Sequence, residues 1–193
     1  MDLRAEATRL FGAAVAAADP AGALRRAFQA HPVEAPLPGG AYIVIAVGKA
    51  AVPMAETALE LLAGAPVRAL VVTNYENARP VAGATVMAAG HPVPDENGAA
   101  AAAAVADLLQ AAGERDRVIA LISGGGSALL PAPSMGLTLA DKVAVNRLLL
   151  ANGFEITEIN LIRQQLSRLK GGGMVRLAAP APVTGYPVGR DRG

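Results

Sequence analysis

The run YIVIAVG (residues 42–48) is apolar throughout, rich in β-branched residues and stopped by a glycine, and AAVPMAETALELLAG (50–64) then carries a helical pattern that closes at Gly64. A strand with no polar alternation is buried on both faces, as the strands of parallel sheets are. The segment therefore predicts a strand, a glycine turn and a helix. Outward from it the same theme returns. VRALVVTN (67–74), ATVMAAG (84–90) and RVIALIS (117–123) have the composition and length of strands. Helical patterns cover about 96–112, where alanine propensity is enough to explain the helix, and then 138–150 and 155–169. Upstream, residues 2–18 place Leu3, Ala7, Leu10, Phe11 and Val15 on one helical face, and HPVEAPLPGG (31–40) is a loop. Asp95 and Thr138 are the expected N-caps, Thr138 with Asp141 three residues on in a near capping box. Strands alternating with helices predict the α/β class, as a Rossmann-like parallel layered sheet with flanking helices.

Composition narrows the partners. The chain has 193 residues, 53% of them hydrophobic but only 3% aromatic, so its core is expected to be built from Ala, Val, Leu and Ile, and base stacking on aromatic side chains is not expected. A net charge of +1 with scattered basic residues gives no nucleic-acid footprint and no membrane-surface patch. With no cysteine and two histidines, His31 and His91, there is no disulfide, thiol nucleophile or cluster ligand set, and no metal ligands are assigned. No signal peptide is read, and no apolar run reaches the roughly 18 residues of a membrane span, so the expected location is cytoplasmic. The expected partner is a small molecule. Nothing fixes the oligomeric state.

The chemistry is expected where strands end. In LISGGGSALL (121–130) an apolar strand meets Ser123, Gly124, Gly125, Gly126 and Ser127, which removes every Cβ between two hydroxyls. Such a turn beyond the carboxyl end of a parallel strand lets backbone N–H groups approach a phosphate or carboxylate. A plain flexible turn is the competing reading, and successive glycines make it the lesser one, because ordering each costs about 0.5–1 kcal/mol relative to alanine. The Rossmann fingerprint fails at Leu129, the nucleophile elbow fails at the same residue, and the Walker A loop fails at Ile43 and Ala50. Lys49, directly after a buried strand, is a charge that the positive end of a helix does not favour and an anion would. In GHPVPDENG (90–98) a rigid turn capped by Asp95 is the leading reading and His91 as a catalytic base the lesser. Asn160, Arg163, Ser167 and Lys170 recur at helical spacing on one face, ahead of Gly171, Gly172 and Gly173.

Taken together, VGKAAVPMA, GHPVPDENG, LISGGGSALL and INLIRQQLSRLKGGG resemble, in this order, the glycerate 2-kinase family, also labelled hydroxypyruvate reductase. Members are longer, with a large N-terminal α/β domain, a smaller C-terminal domain and the active site in the cleft between them. The resemblance implies transfer of the ATP γ-phosphoryl group to the 2-hydroxyl of D-glycerate, with Mg2+. It implies Lys49 and Arg163 as catalytic residues, and Ser123, Gly124, Gly125, Gly126, Ser127, Asn160 and Lys170 as binders of phosphate or substrate. The alternatives are an NAD(P)H-dependent hydroxypyruvate reductase and a non-catalytic ligand-binding fragment. The resemblance stops after Thr184, within VTGYPVGRDRG (183–193). One codon choice for residues 185–193, shifted by a base, reads as the family-like AILSDVIGD. The expectation is thus an incomplete domain over 1–184, an out-of-frame tail over 185–193, no C-terminal domain and weak or no activity.

Overall fold

The computed structural model describes residues 2–187. Its centre is a five-stranded, all-parallel sheet in the order β3-β2-β1-β4-β5, formed by β1 (Tyr42–Val47), β2 (Val67–Asn74), β3 (Ala84–Ala89), β4 (Arg117–Ile122) and β5 (Val183–Pro187). Every residue of β1 is buried. Because successive side chains point to opposite faces, Ile43, Ile45 and Val47 enter one core while Tyr42, Val44 and Ala46 enter the other. The first core is closed by α4 (Glu96–Gln110), α5 (Gly126–Leu129) and α8 (Gly173–Ala178), and the second by α2 (Pro20–Ala30) and α3 (Ala51–Leu61). The alanine run of α4 lets that helix approach the sheet closely, burying Ala101, Ala102, Val105, Ala106 and Leu109.

The expected α/β class and parallel layers are thus present. Asp95 accepts from the Gly98 N–H as the cap of α4, and Thr138 with Asp141 forms a reciprocal capping box on α6 (Leu139–Ala151). The first helix, α1 (Leu3–Ala17), forms where expected but buries none of its residues.

Three differences from the sequence reading have physical causes. The last long helix, α7 (Ile156–Gln165), stops at Leu166 rather than 169. Its continuation is diverted into a bridge with the segment after α5: Ser134 N–H donates to Leu166 O, and Arg168 N–H to Ala132 O. Only Asn160 and Arg163 therefore share its helical face, and Ser167 and Lys170 do not. Second, α2, over a segment to which the sequence reading assigned no element, is capped by Asp19 with Pro20 in its first turn. Third, β5 contains glycine and ends on proline, so propensity does not reveal it; it exists because β4 has a free edge to pair. Gly185, Tyr186 and Pro187, expected in an unrelated tail, lie in this strand. Tyr186 stacks on Phe28 with ring centroids 4.7 Å apart and donates its hydroxyl to His31 O at 2.6 Å. The rest of that tail lies outside the described residues.

Candidate functional site at the carboxyl edge of the sheet

Parallel strands deliver their carboxyl ends to one edge, and where the chain order reverses, the loops part and leave a crevice. Here the reversal falls between β1 and β4, whose ends are level, with Val47 opposite Ile122. The two loops leaving these strands are locked together. Lys49 N–H donates to Gly124 O at 2.8 Å, Ser123 N–H to Val47 O at 2.8 Å, and Ala50 N–H to Ser123 Oγ at 3.0 Å. Ser123 is buried and its hydroxyl is spent on this loop backbone, so it shapes the crevice. Gly48 is required by the same contact: at φ +123° a Cβ would stand 2.2 Å from Ser123 Oγ.

The three glycines differ in what they do. Gly125 has φ +96°, and a Cβ there would meet His91 Cδ2 at 3.1 Å, His91 Nε2 at 3.3 Å and Lys49 Cγ at 3.4 Å. Gly124 faces open space, and Gly126 meets only Val47 at an ordinary distance. Lys49 is exposed and, among the described residues, its ammonium has no carboxylate partner. Lys170 reaches the same loop from the far side, donating to Ser127 Oγ.

The neighbouring strands add a polar border that the sequence reading missed. After β2, a short 3-10 turn (Tyr75–Asn77) sends Asn77 Nδ2 to Lys49 O at 3.0 Å and to Asn74 Oδ1 at 2.8 Å. Tyr75 donates to Asp95, and Asn97 Nδ2 donates to the Tyr75 hydroxyl at 2.7 Å. Burial raises the Asp95 carboxyl, but hydrogen bonds from Tyr75 and from the Gly90 and Gly98 amides outweigh it and hold the group below its ordinary range. Four consecutive residues able to hydrogen-bond, from Asn74 at the end of a parallel strand to Asn77, were the available signal.

Arg163 sits lower on the α6–α7 pair, with Nε donating to Asn146 Oδ1 at 2.9 Å. Beside it is Lys142, half-buried, donating to Pro131 O and unmarked by any sequence motif. Burial first, and then the Arg163 charge, push the Lys142 ammonium down to about 8. Asn160 is partly buried on α7. Two hollows, of about 680 Å³ beside β2, β3 and α4 and about 540 Å³ between α2 and β5, lie away from this edge. Among the described residues no three carboxylate or imidazole groups converge to hold a metal ion, and no helix is long and apolar enough to cross a membrane.

Comparison with known proteins adds a family. The chain is 37% identical over 183 residues to a protein of Pyrococcus horikoshii named glycerate 2-kinase, and the match covers 92% of this chain and 41% of that one. It is 42% identical over 175 residues to an Agrobacterium vitis protein labelled hydroxypyruvate reductase, covering 91% of this chain and 39% of that one. The crystal structure of a glycerate kinase from Thermotoga maritima superposes with a TM-score of 0.84 at 34% identity, over 94% of this chain and 42% of the other. The chain thus spans about two fifths of the length of these relatives. Residues 6–188 match the family described as a domain of unknown function, DUF4147, and the chain belongs to that family.

Proposed function

We propose that this chain supplies the phosphate- and substrate-holding wall of an ATP-dependent D-glycerate 2-kinase. The observation that carries the reading is the pairing of an exposed Lys49, without a carboxylate partner among the described residues, with the bare backbone of Gly125 at the β1/β4 reversal, and with Lys170 on Ser127 across the same loop. The names of the relatives from P. horikoshii and T. maritima supply the substrate class.

Phosphoryl transfer asks a protein mainly for positioning and for neutralisation of charge on the transferring group. In this reading the Gly124 to Gly126 backbone receives phosphate oxygens, since only a surface without Cβ atoms admits them. Lys49 offsets the charge that develops as the 2-hydroxyl oxygen of glycerate bonds to the γ-phosphorus and the bond to ADP breaks. Ser127 and Lys170 hold an anion from the opposite side, and Asn160 and Arg163 line the approach from α7. The described carboxylates do not form a cage for Mg2+, so no step is assigned to the metal. Hydride chemistry has no dinucleotide fingerprint to support it.

A coupled assay tests the reading. Incubation with ATP and D-glycerate is expected to yield 2-phosphoglycerate and ADP at a low rate, since this chain supplies one wall of the site, with no NADH oxidation in the presence of hydroxypyruvate. Calorimetric binding of both ligands without turnover would instead favour a binding module, and NADH oxidation would favour a reductase.

A further inference from the structure

His91 is the second residue of the loop after β3, half-buried, and its Cδ2–Nε2 edge lies against the same glycine loop that Lys49 touches. The geometry points to His91 as the catalytic residue that accepts the proton of the substrate hydroxyl; this deepens the kinase reading and rests on it. Glu76, in the turn after β2, has a carboxyl held below the ordinary range first by its own backbone N–H, next by the Asn74 side chain, and also by the charge of His91.

The other groups at this edge are poorly suited to the task. Asp95 is occupied by the Tyr75 hydroxyl and the Gly90 and Gly98 amides, and the Tyr75 phenol, held protonated by its bond to Asp95, rises above its ordinary range. Lys49 as an ammonium is a donor only. A neutral imidazole at Nε2 offers a lone pair beside the backbone where phosphate oxygens are proposed to sit. In the step, the 2-hydroxyl oxygen forms its bond to the γ-phosphorus, the bond to the bridging oxygen of ADP breaks with its electron pair leaving on ADP, and the hydroxyl proton passes to His91 Nε2. The resulting imidazolium returns the proton to water. Lys49 from the β1 loop approaches the same glycine as the ring, and the charge of His91 acts on Glu76 from the β2 loop.

The chain has two histidines, which makes the test clean. His31 lies at the end of α2, its backbone carbonyl bound by Tyr186, and His31→Gln assigns the two imidazole resonances in NMR without touching the site. Saturating D-glycerate is expected to shift the His91 resonances and leave those of His31 in place. His91→Gln is expected to bind D-glycerate within about threefold of the parent, to lose about a hundredfold or more in kcat, and to lose the acid-side fall of the pH–rate profile. An unmoved His91 signal while calorimetry reports bound D-glycerate overturns the proposal, as does a His91→Gln enzyme that keeps both kcat and the acid-side fall. If the parent chain binds neither ATP nor D-glycerate, it is the kinase reading that fails, and His91 loses its role with it.

Discussion

A lysine in the turn that leads into a helix faces partial positive charge from the first unbonded amides, a cost of roughly 0.3–1 kcal/mol. Lys49 stands there, two residues before Ala51 opens α3, and no side-chain cap offsets it. Lys49→Met is therefore expected to leave the melting temperature equal or slightly higher while lowering kcat by about a hundredfold; equal loss of both would make Lys49 structural. Gly125 gives a second separation. Gly125→Ala places a Cβ at φ +96°, beside His91 and Lys49, and should cost about 1–2 kcal/mol of stability and weaken ATP binding. Gly124→Ala, opening onto solvent, should change stability by less than about 0.5 kcal/mol, and thermal melts of the two variants side by side decide the matter. The sequence made Lys49 and the glycine loop legible because both break a local rule. It could not rank the three glycines, since that depends on His91 arriving from β3, and it could not show Ser123 turned inward. Lys142 was illegible because its depressed ammonium comes from burial and from Arg163, twenty-one residues away.

At the scale of elements, the opposite edge of the sheet is fastened by one carboxylate. Asp116 accepts from Ala41 N–H at 2.8 Å and Gly113 N–H at 2.9 Å, and pairs with Arg68 at 3.1 Å, so it ties the entries of β1, β2 and β4 together. Burial raises its carboxyl, but the two amides and then Arg68 prevail and hold it below the ordinary 3.8. A carboxylate depressed in the folded state contributes stability that is complete above the unfolded value and is lost as pH falls through the folded one. Asp116→Asn is thus expected to destabilise by about 1–3 kcal/mol at pH 7, with the gap to the parent closing below pH 3.8; urea melts at both pH values would show it, and a gap that is constant in pH would refute the charge argument. Periodicity located β1 to β4 within a residue or two because each carries a long apolar run. The element β5 has no such run, and α7 was overextended because its polar spacing continues past Gln165 while the hydrogen bonds of the chain turn to Ala132 and Ser134.

At the scale of the molecule, the apolar stripe of α1 meets no covering surface among the described residues. Leu3, Leu10, Phe11 and Val15 are each more than half exposed, and α1 contributes nothing to either core. A second group, Leu148 and Leu150 on α6 with Phe154, Ile156 and Leu161, is likewise open to solvent. Contiguous exposed apolar area on a chain of this size drives association. Sheet and site are built from residues 42 onward, so the stripe is separable from both. Deleting residues 2–18 is expected to leave the melting temperature within about 2 °C and the near-ultraviolet signal of the tyrosines unchanged. It should also reduce the concentration-dependent association seen by light scattering, and Phe11→Ser should do so in part. A deletion that collapses the melting transition would mean that α1 belongs to the folding unit, and association undiminished by either change would shift the driving surface to α6 and α7.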